Sequence, residues 1–222
     1  MKKSVKTAEL FDCQTPYLAE LFEECEYPWQ MLPKIKELAQ KIIENGIVGY
    51  TEIQKGVLVG ENVSIAKTAT IEAPCIIGSD TEIRPGAYIR GSVIVGRGCV
   101  IGNSSELKNC ILLDKAQAPH YNYIGDSILG NKAHMGAGSI CSNLKSDNKP
   151  VVIHGETEME TRLRKVGAIL ADGADIGCGC VLNPGTVIGK HTSVYPLNAL
   201  RGVYPADCIV KTPQNIVKRR IL

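Results

Sequence analysis

Aromatic side chains are scarce in this chain of 222 residues, since phenylalanine, tyrosine and tryptophan together make up 5% of it. So few large rings, together with 22 glycines, favour a narrow aliphatic core with tight turns.

No apolar run approaches the ~20 residues that a helix needs to cross a bilayer. The start Met1-Lys2-Lys3 also leads into no apolar signal segment. We therefore expect a cytoplasmic protein that does not act in a membrane.

A large excess of charge of one sign is also absent. The formal net charge is +2, which argues against nucleic acid as the main partner. The run Lys218-Arg219-Arg220 is locally basic, and we interpret it as part of a solvated C-terminal tail over residues 215–222.

A branched aliphatic residue occupies every sixth position for eleven consecutive periods. In a chain with 44% hydrophobic residues, such a run arises by chance about once in ten thousand trials, and a fixed period is the sign of a repeat architecture. The pattern predicts an all-β solenoid of hexapeptide repeats. The positions are Ile53, Val59, Ile65, Ile71, Ile77, Ile83, Ile89, Val95, Ile101, Leu107 and Leu113.

The residue four positions after each of these aliphatic residues is mostly small, as at Ala69 and Cys75. A short strand can then place one large and one small side chain inward, so that each hexad forms one face and three faces close one coil. The frame breaks after Leu113, reappears at Tyr123 and returns again from Leu170. We expect the two interruptions, 115–122 and 144–166, to leave the wall as loops, where functional residues often lie.

Nine cysteines are present, but they lack the spacing of a metal site. The close pair Cys178-Gly179-Cys180 has no second pair or suitably spaced histidine nearby. The odd number and a reducing compartment disfavour disulfides. We predict mainly buried packing roles, with Cys75, Cys99 and Cys180 in the small inward position and Cys141 in the aliphatic one, and no tightly bound metal.

The first fifty residues have a different, helical pattern. Thr15-Pro16 is typical of a helix start, with apolar residues at helical spacing after it. A second helix is predicted from near Trp29 to Glu44, ended by Asn45-Gly46. We expect residues 1–50 to be a helical appendage that caps the open first coil, and residues 51–214 to be the solenoid domain.

Polar residues are concentrated in a few short motifs, which are Arg84-Pro85-Gly86, the run from Gly102 to Lys108, the run from Ala118 to Asp126, Gly136-Ala137-Gly138 with Asn143, and Asn148-Lys149. They are similar to the acetyltransferase half of the bacterial bifunctional N-acetylglucosamine-1-phosphate uridylyltransferase/glucosamine-1-phosphate acetyltransferases. Arg164-Lys165-Val166-Gly167-Ala168 followed by Pro184-Gly185 resembles the archaeal sugar-1-phosphate nucleotidylyltransferases that carry such a domain. The resemblance covers roughly residues 57–214.

This resemblance implies a left-handed parallel β-helix that works as a homotrimer. The implied reaction is transfer of an acetyl group from acetyl-CoA, as co-substrate, to the amine of a hexosamine-1-phosphate. His120 matches the general base, and an imidazole with a pKa near ~6.5 suits that role at neutral pH. Tyr123 matches a residue that contacts the sugar, although it could equally fill the aliphatic position of the wall.

The resemblance also implies the contacts of the two substrates. Phosphate contacts are implied for Lys108, Lys149 and Arg84, with Arg90 as the alternative to Arg84 because of its spacing from the histidine. Three positions depart from the family: His134 replaces an asparagine at the sugar, Leu144 a tyrosine at the cofactor, and Lys211 an arginine. The implied acetyl-CoA contacts are Ala137, Asn143, Cys178, Pro196 and Lys211.

Two other functions remain open from the sequence. The departures from the family leave room for a non-catalytic module that binds or regulates through sugar nucleotides. A γ-type carbonic anhydrase shares the coil but needs three zinc-binding histidines. No glycine-rich nucleotide loop precedes residue 50, so we expect no nucleotidyl transfer by this chain. The acceptor could be the gluco or galacto isomer, as a 1-phosphate or linked to a nucleotide. The histidines are His120, His134, His154 and His191, without a closely spaced pair.

Overall fold

A computed structural model describes residues 3–219, and the greater part of these residues forms a three-faced parallel β-solenoid. Val59, Ile77 and Val95 are register partners on successive coils, so one coil takes three hexads. The predicted β-helix of hexapeptide repeats is confirmed. No helix in the described range is long and apolar enough to span a membrane.

The strands of the solenoid lie in three sheets, which we name faces A, B and C. Face A contains β1 Thr51–Gln54, β2 Val57–Val59, β5 Cys75–Ile77, β8 Val93–Val95, β11 Cys110–Leu112, β14 Ile128–Leu129, β19 Ala168–Leu170, β22 Thr186–Ile188 and β25 Val203–Tyr204. Face B contains β3 Ser64–Ile65, β6 Glu82–Ile83, β9 Val100–Asn103, β12 Gln117–His120, β15 His134–Met135, β20 Asp175–Ile176, β23 Ser193–Val194, β26 Cys208–Thr212 and β27 Asn215–Lys218. Face C contains β4 Thr70–Ile71, β7 Tyr88–Ile89, β10 Glu106–Lys108, β13 Tyr123–Gly125, β16 Ile140–Cys141, β21 Val181–Leu182 and β24 Ala199–Leu200.

The helical part precedes face A. It consists of α1 Thr7–Leu10, α2 Pro16–Glu24 and α3 Ile35–Asn45, with 3-10 turns at Pro28–Gln30 and Leu32–Lys34. A separate hairpin pairs β17 Val152–His154 with β18 Glu158–Glu160. At the far end, β27 runs antiparallel to β26. The predicted tail 215–222 thus begins as a strand, while Arg220 and the residues after it lie outside the described range.

Most of the predicted hexad positions point into the coil, and the exceptions have a simple cause. Ile83 and Leu107 are buried there, but Ile53 is 52% exposed because β1 is an antiparallel addition before the first coil. One residue is lost between Leu107 and the next large aliphatic residue that points inward, which is Leu112 and not Leu113. A second loss, after Ile124, returns the inward position to Leu129.

These one-residue losses correct two further expectations. The stretch 115–122 does not leave the wall, since it contains β12, which pairs in register with β9 and β15. Ile124 fills the inward position, so Tyr123 does not pack inside the wall. Cys75, Cys99, Cys141 and Cys180 are buried in the coil, as predicted.

The outer side of face A is apolar and is covered by the chain itself. Aliphatic residues stack there in register, and helices α1 to α3 pack on them with Val151 and Ile153 of the 144–166 excursion. The helices therefore lie along face A. This differs from the expectation that they would cap the first coil. The predicted excursion 144–166 does leave the wall of the solenoid, but its hairpin packs on face A of the same chain. The stacked residues are Leu58, Ile76, Ile94, Ile111, Ile128, Ile169, Val187 and Val203, each at most 4% exposed.

Candidate functional site

The corner between faces B and C holds four of the predicted site residues on successive coils. The backbone N–H of Gly138 donates to the carbonyl of His120 at 3.0 Å, and that of Gly179 donates to Ala137 at 2.8 Å. The N–H of Leu197, the residue after Pro196, donates to the carbonyl of Cys178 at 2.9 Å. We name this column, His120, Ala137, Cys178 and Pro196, the corner column.

Lys211 lies next to the corner column at the last coil, one residue before the position that is in register with Pro196. It lies in β26, and its carbonyl accepts a hydrogen bond of 3.2 Å from Asn198 Nδ2. The same amide donates to the carbonyl of Tyr195 at 2.8 Å, next to Pro196. Four of the five predicted acetyl-CoA contacts and the predicted base thus follow one corner.

His120 ends strand β12 with an exposed side chain, and its main chain is held by Asn122. The N–H of His120 donates to Asn122 Oδ1 at 3.1 Å. Asn122 is 2% exposed, and its Nδ2 donates to the carbonyls of Gly136 and Ser139 at 2.8 and 3.2 Å. Because a buried amide without partners is costly, these bonds fix the turn that carries His120 against the coil that carries Ala137. The sequence analysis placed Asn122 in the predicted loop 115–122, and no role was predicted for it.

A second group of predicted residues meets at the corner between faces C and A. Lys108 Nζ lies 3.2 Å from Asp126 Oδ2. Asn143 Nδ2 donates to the same carboxylate and also contacts Tyr123 Oη at 3.3 Å. Burial, followed by the charge of Glu106, raises the pKa of the Tyr123 hydroxyl. We name Lys108, Tyr123, Asp126 and Asn143 the carboxylate cluster.

The two groups flank one face of the solenoid. Strand β13, Tyr123–Gly125, crosses face C from the turn after His120 to Asp126. Asn143 was predicted as a contact of acetyl-CoA together with Ala137, but it lies in the carboxylate cluster and not in the corner column. The exposed imidazole of His120 thus lies on one side of face C. The ammonium of Lys108 and the amide of Asn143 lie on the other side.

The two candidate arginines are both paired with carboxylates. Arg84 Nη2 lies 3.0 Å from Glu82 Oε2, and Arg90 Nη1 lies 2.8 Å from Glu106 Oε1. Arg90 also lies over the Tyr88 ring, 6.0 Å from its centroid. Its partner Glu106 is the register partner of Tyr123 on face C. Arg90 thus neighbours the carboxylate cluster, whereas Arg84 lies at the other corner of the same coil.

The other two predicted sugar contacts lie apart from both groups. His134 is on the outer side of face B, with Nδ1 2.8 Å from Asp175 Oδ1. That hydrogen bond lowers the pKa of Asp175. Lys149 is exposed on the excursion, where its N–H donates to Asp147 Oδ1 at 3.0 Å and lowers the pKa of that carboxyl.

A groove of about 350 Å³ lies beside the carboxylate cluster, between the helical part and the return of the excursion. Arg164 and Lys165 add cations there that the sequence indicated only through resemblance. Among residues 3–219 no group of three or more His, Cys, Asp or Glu side chains is placed to hold a metal ion. The groove is lined by Leu32, Pro33, Asn109, Asp126, Leu163, Arg164 and Lys165.

Comparison with known proteins gives one family model and many curated relatives. The model of the GMPPB C-terminal domain matches residues 71–162, which include His120 and the carboxylate cluster. A protein described as bifunctional protein GlmU from Methanococcus aeolicus is 34% identical over 160 residues, covering 64% of this chain and 39% of the relative. The protein of the same description from Methanococcus vannielii is 30% identical over 226 residues, covering 99% of this chain and 53% of the relative. The resemblance to the GlmU proteins is confirmed.

The GlmU-like chain spans between 39% and 53% of the length of these two relatives. Among solved structures, PerB from Caulobacter crescentus, in complex with CoA and GDP-perosamine, is 18% identical with a TM-score of 0.38. That similarity covers 66% of this chain and 52% of PerB.

Proposed function

We propose that this chain transfers the acetyl group of acetyl-CoA to the amine of a hexosamine-1-phosphate, such as glucosamine- or galactosamine-1-phosphate, or of a related amino sugar. The observation that carries the proposal is the placement of exposed His120 at the head of the corner column, across β13 from the carboxylate cluster. This supports a base and a thioester site along one corner and an amino-sugar phosphate over face C. We propose the cytoplasm as the location.

The proposed chemistry is direct attack of the amine on the thioester carbonyl. His120 accepts the proton that the amine loses and gives it to the leaving sulfur as the carbon–sulfur bond breaks, so that the products are the amide and the free thiol of CoA. A positioned base typically contributes about 10²–10⁴-fold. Lys108 and Lys149 would bind the acceptor phosphate, because a compact ammonium is a usual phosphate ligand.

The proposal is tested by measuring release of free thiol across a panel of amino-sugar phosphates, with each unphosphorylated sugar as its control. Turnover with a hexosamine-1-phosphate is the expected result. The non-catalytic alternative predicts that acetyl-CoA or a sugar nucleotide raises the melting temperature while no acceptor releases thiol. A ligand at about one hundred times its Kd stabilises the folded state by ~2.7 kcal/mol, which is readily measured.

Replacing Lys108 by alanine should discriminate against the phosphorylated acceptor. Loss of a hydrogen bond to a charged group costs about 1.5–3 kcal/mol, so kcat/KM for the 1-phosphate should fall about tenfold or more. The unphosphorylated sugar has no dianion to bind and should be affected far less. Lys149→Ala should behave in the same way.

The matched control for this prediction is Lys67→Ala, which removes an exposed lysine near the start of the solenoid. It should leave the ratio of kcat/KM for the two acceptors unchanged. Equal losses on both acceptors in Lys108→Ala would refute phosphate binding by Lys108.

We further propose that the active unit is a homotrimer. The outer side of face A is already covered by the same chain, so association would use face C and the corner column. Apolar groups are exposed there, including Val181 on face C at 36% and Tyr121 and Leu197 at the corner at 64% and 84%. Identical subunits usually assemble with closed symmetry.

Sedimentation should therefore detect a species of about three times the 24.0 kDa monomer. If the site is shared between subunits, mixing inactive His120→Ala and Lys211→Ala chains should restore part of the activity. A fully active monomer would rule out the homotrimer as the active unit. Absence of rescue in verified mixed trimers would rule out the shared site.

A further inference from the structure

Asp126 is a nearly buried carboxylate for which neither the motif nor the proposed chemistry provides a role. Its side chain is 7% exposed, at the corner where β13 turns from face C toward face A. Its φ is 47°, a left-handed conformation that aspartate and asparagine tolerate better than most residues. A buried carboxylate is retained only where donors compensate for the water it loses.

Three side chains from two segments of the chain donate to this carboxylate. Lys108 Nζ lies 3.2 Å from Oδ2, and Asn109 Nδ2 lies 2.9 Å from Oδ1. Asn143 Nδ2 donates to Oδ2 as well. Two of the three, Lys108 and Asn143, are residues that we assign to substrate binding.

The same corner joins the excursion and the helical part to the site. The carbonyl of Asp126 accepts from Gly167 N–H at 2.7 Å, and that of Asn143 accepts from Val166 N–H at 3.0 Å, where the excursion returns to the wall. Asn109 Nδ2 also contacts the carbonyl of Leu32 at 3.2 Å. Asp126 therefore lies at the base of the segment that carries Lys149.

We propose that Asp126 is a positioning residue, which holds the Lys108 ammonium and the Asn143 amide in the orientation that the substrates require. This inference rests on the proposed function. A free lysine side chain has many rotamers, and fixing it before the substrate binds removes an entropic cost from the reaction. The Asp126 carboxylate is not placed to contact the reacting atoms in this assignment, because its oxygens already accept bonds from Lys108, Asn109 and Asn143.

The test is Asp126→Asn, which keeps the volume and the tolerance of a left-handed φ but removes the charge and one acceptor. A misplacement of about 1 Å can cost up to about 100-fold in rate, so we expect kcat/KM for the phosphorylated acceptor to fall about 10- to 100-fold. The loss should be greater for the phosphorylated acceptor than for the unphosphorylated sugar, because Lys108 is released.

The chain offers a matched control in Asp172. That carboxylate is also largely buried, and it accepts from the N–H of Asp12 at 2.8 Å and of Asn131 at 2.7 Å, with Lys190 Nζ 3.5 Å away. It lies where the helical part meets face A, away from the carboxylate cluster. Asp172→Asn should lower the melting temperature about as much as Asp126→Asn while leaving kcat/KM unchanged.

A second readout does not depend on turnover. The rate at which an amine-acylating reagent labels Lys108, measured by mass spectrometry against Lys67 in the same sample, should rise severalfold in Asp126→Asn and stay constant in Asp172→Asn. An unchanged labelling rate, or equal losses of activity in the two variants, would overturn the positioning role. If the wild-type protein turns over no acceptor, the proposed function fails, and the labelling rate alone decides whether Asp126 holds Lys108.

Discussion

Replacing His120 by alanine should lower kcat by about 10²–10⁴-fold, the usual contribution of a general base, and leave the melting temperature close to that of the wild type. The side chain is exposed at the end of β12 and contributes nothing to the core. The bond from the backbone of residue 120 to Asn122 Oδ1 does not need the imidazole. The corner should therefore keep its shape in the variant.

This prediction is measured by thiol release with the best acceptor, next to a thermal melt. The comparison variant is His134→Ala, because that imidazole is also on the wall but is paired with Asp175 on face B. We expect its kcat to fall less than that of His120→Ala. A change below threefold in His120→Ala, far short of the usual loss of about 10²–10⁴-fold, would show that His120 is not the base. A larger loss in His134→Ala would move the base to face B.

Part of the candidate site was predicted from motifs in the sequence, and not from geometry. Matching single positions identified Ala137, Cys178 and Pro196, and the structure brings them to one corner because each coil returns the chain to the same place. Asn143 matched the same set but lies with Asp126 at the other corner. The positioning role that we propose for Asp126 had no signal in the sequence, since only the coil brings Asn143 and the pair Lys108-Asn109 to its carboxylate.

The hexad pattern predicted the fold, but it did not predict which residues point inward between Leu107 and Leu129. Loss of one residue at a corner leaves the pattern within each strand intact and moves the frame, which is why Leu112 and Ile124 point inward in place of Leu113 and Tyr123. A longer period, of one coil, was also present among the residues that point outward. Leu58 and Ile76 begin a column of outward aliphatic residues, one for each coil. Such a column predicts that one outer face is covered, and it would have placed the helices along face A.

Ile94→Ala should lower the free energy of unfolding by about 2–5 kcal/mol, the usual cost of removing a large aliphatic side chain from a core. Ile94 is on the outer side of face A and is 0% exposed. Strand β8, which carries Ile94, contacts α3, whose residues Ile35, Ala39 and Ile42 belong to the same buried cluster. The cavity would open between helix and wall, where both sides are held by many other contacts and cannot collapse easily.

The matched control is Ile53→Ala, the same chemical change at an isoleucine that is 52% exposed in β1. Its free energy of unfolding should change by less than ~0.5 kcal/mol, as is usual for surface substitutions. Urea unfolding followed by circular dichroism measures both variants, and the midpoints can be compared because the surface exposed on unfolding is nearly the same. If the two variants lose equal stability, the helices do not pack on face A in solution, since only that packing makes Ile94 a core residue.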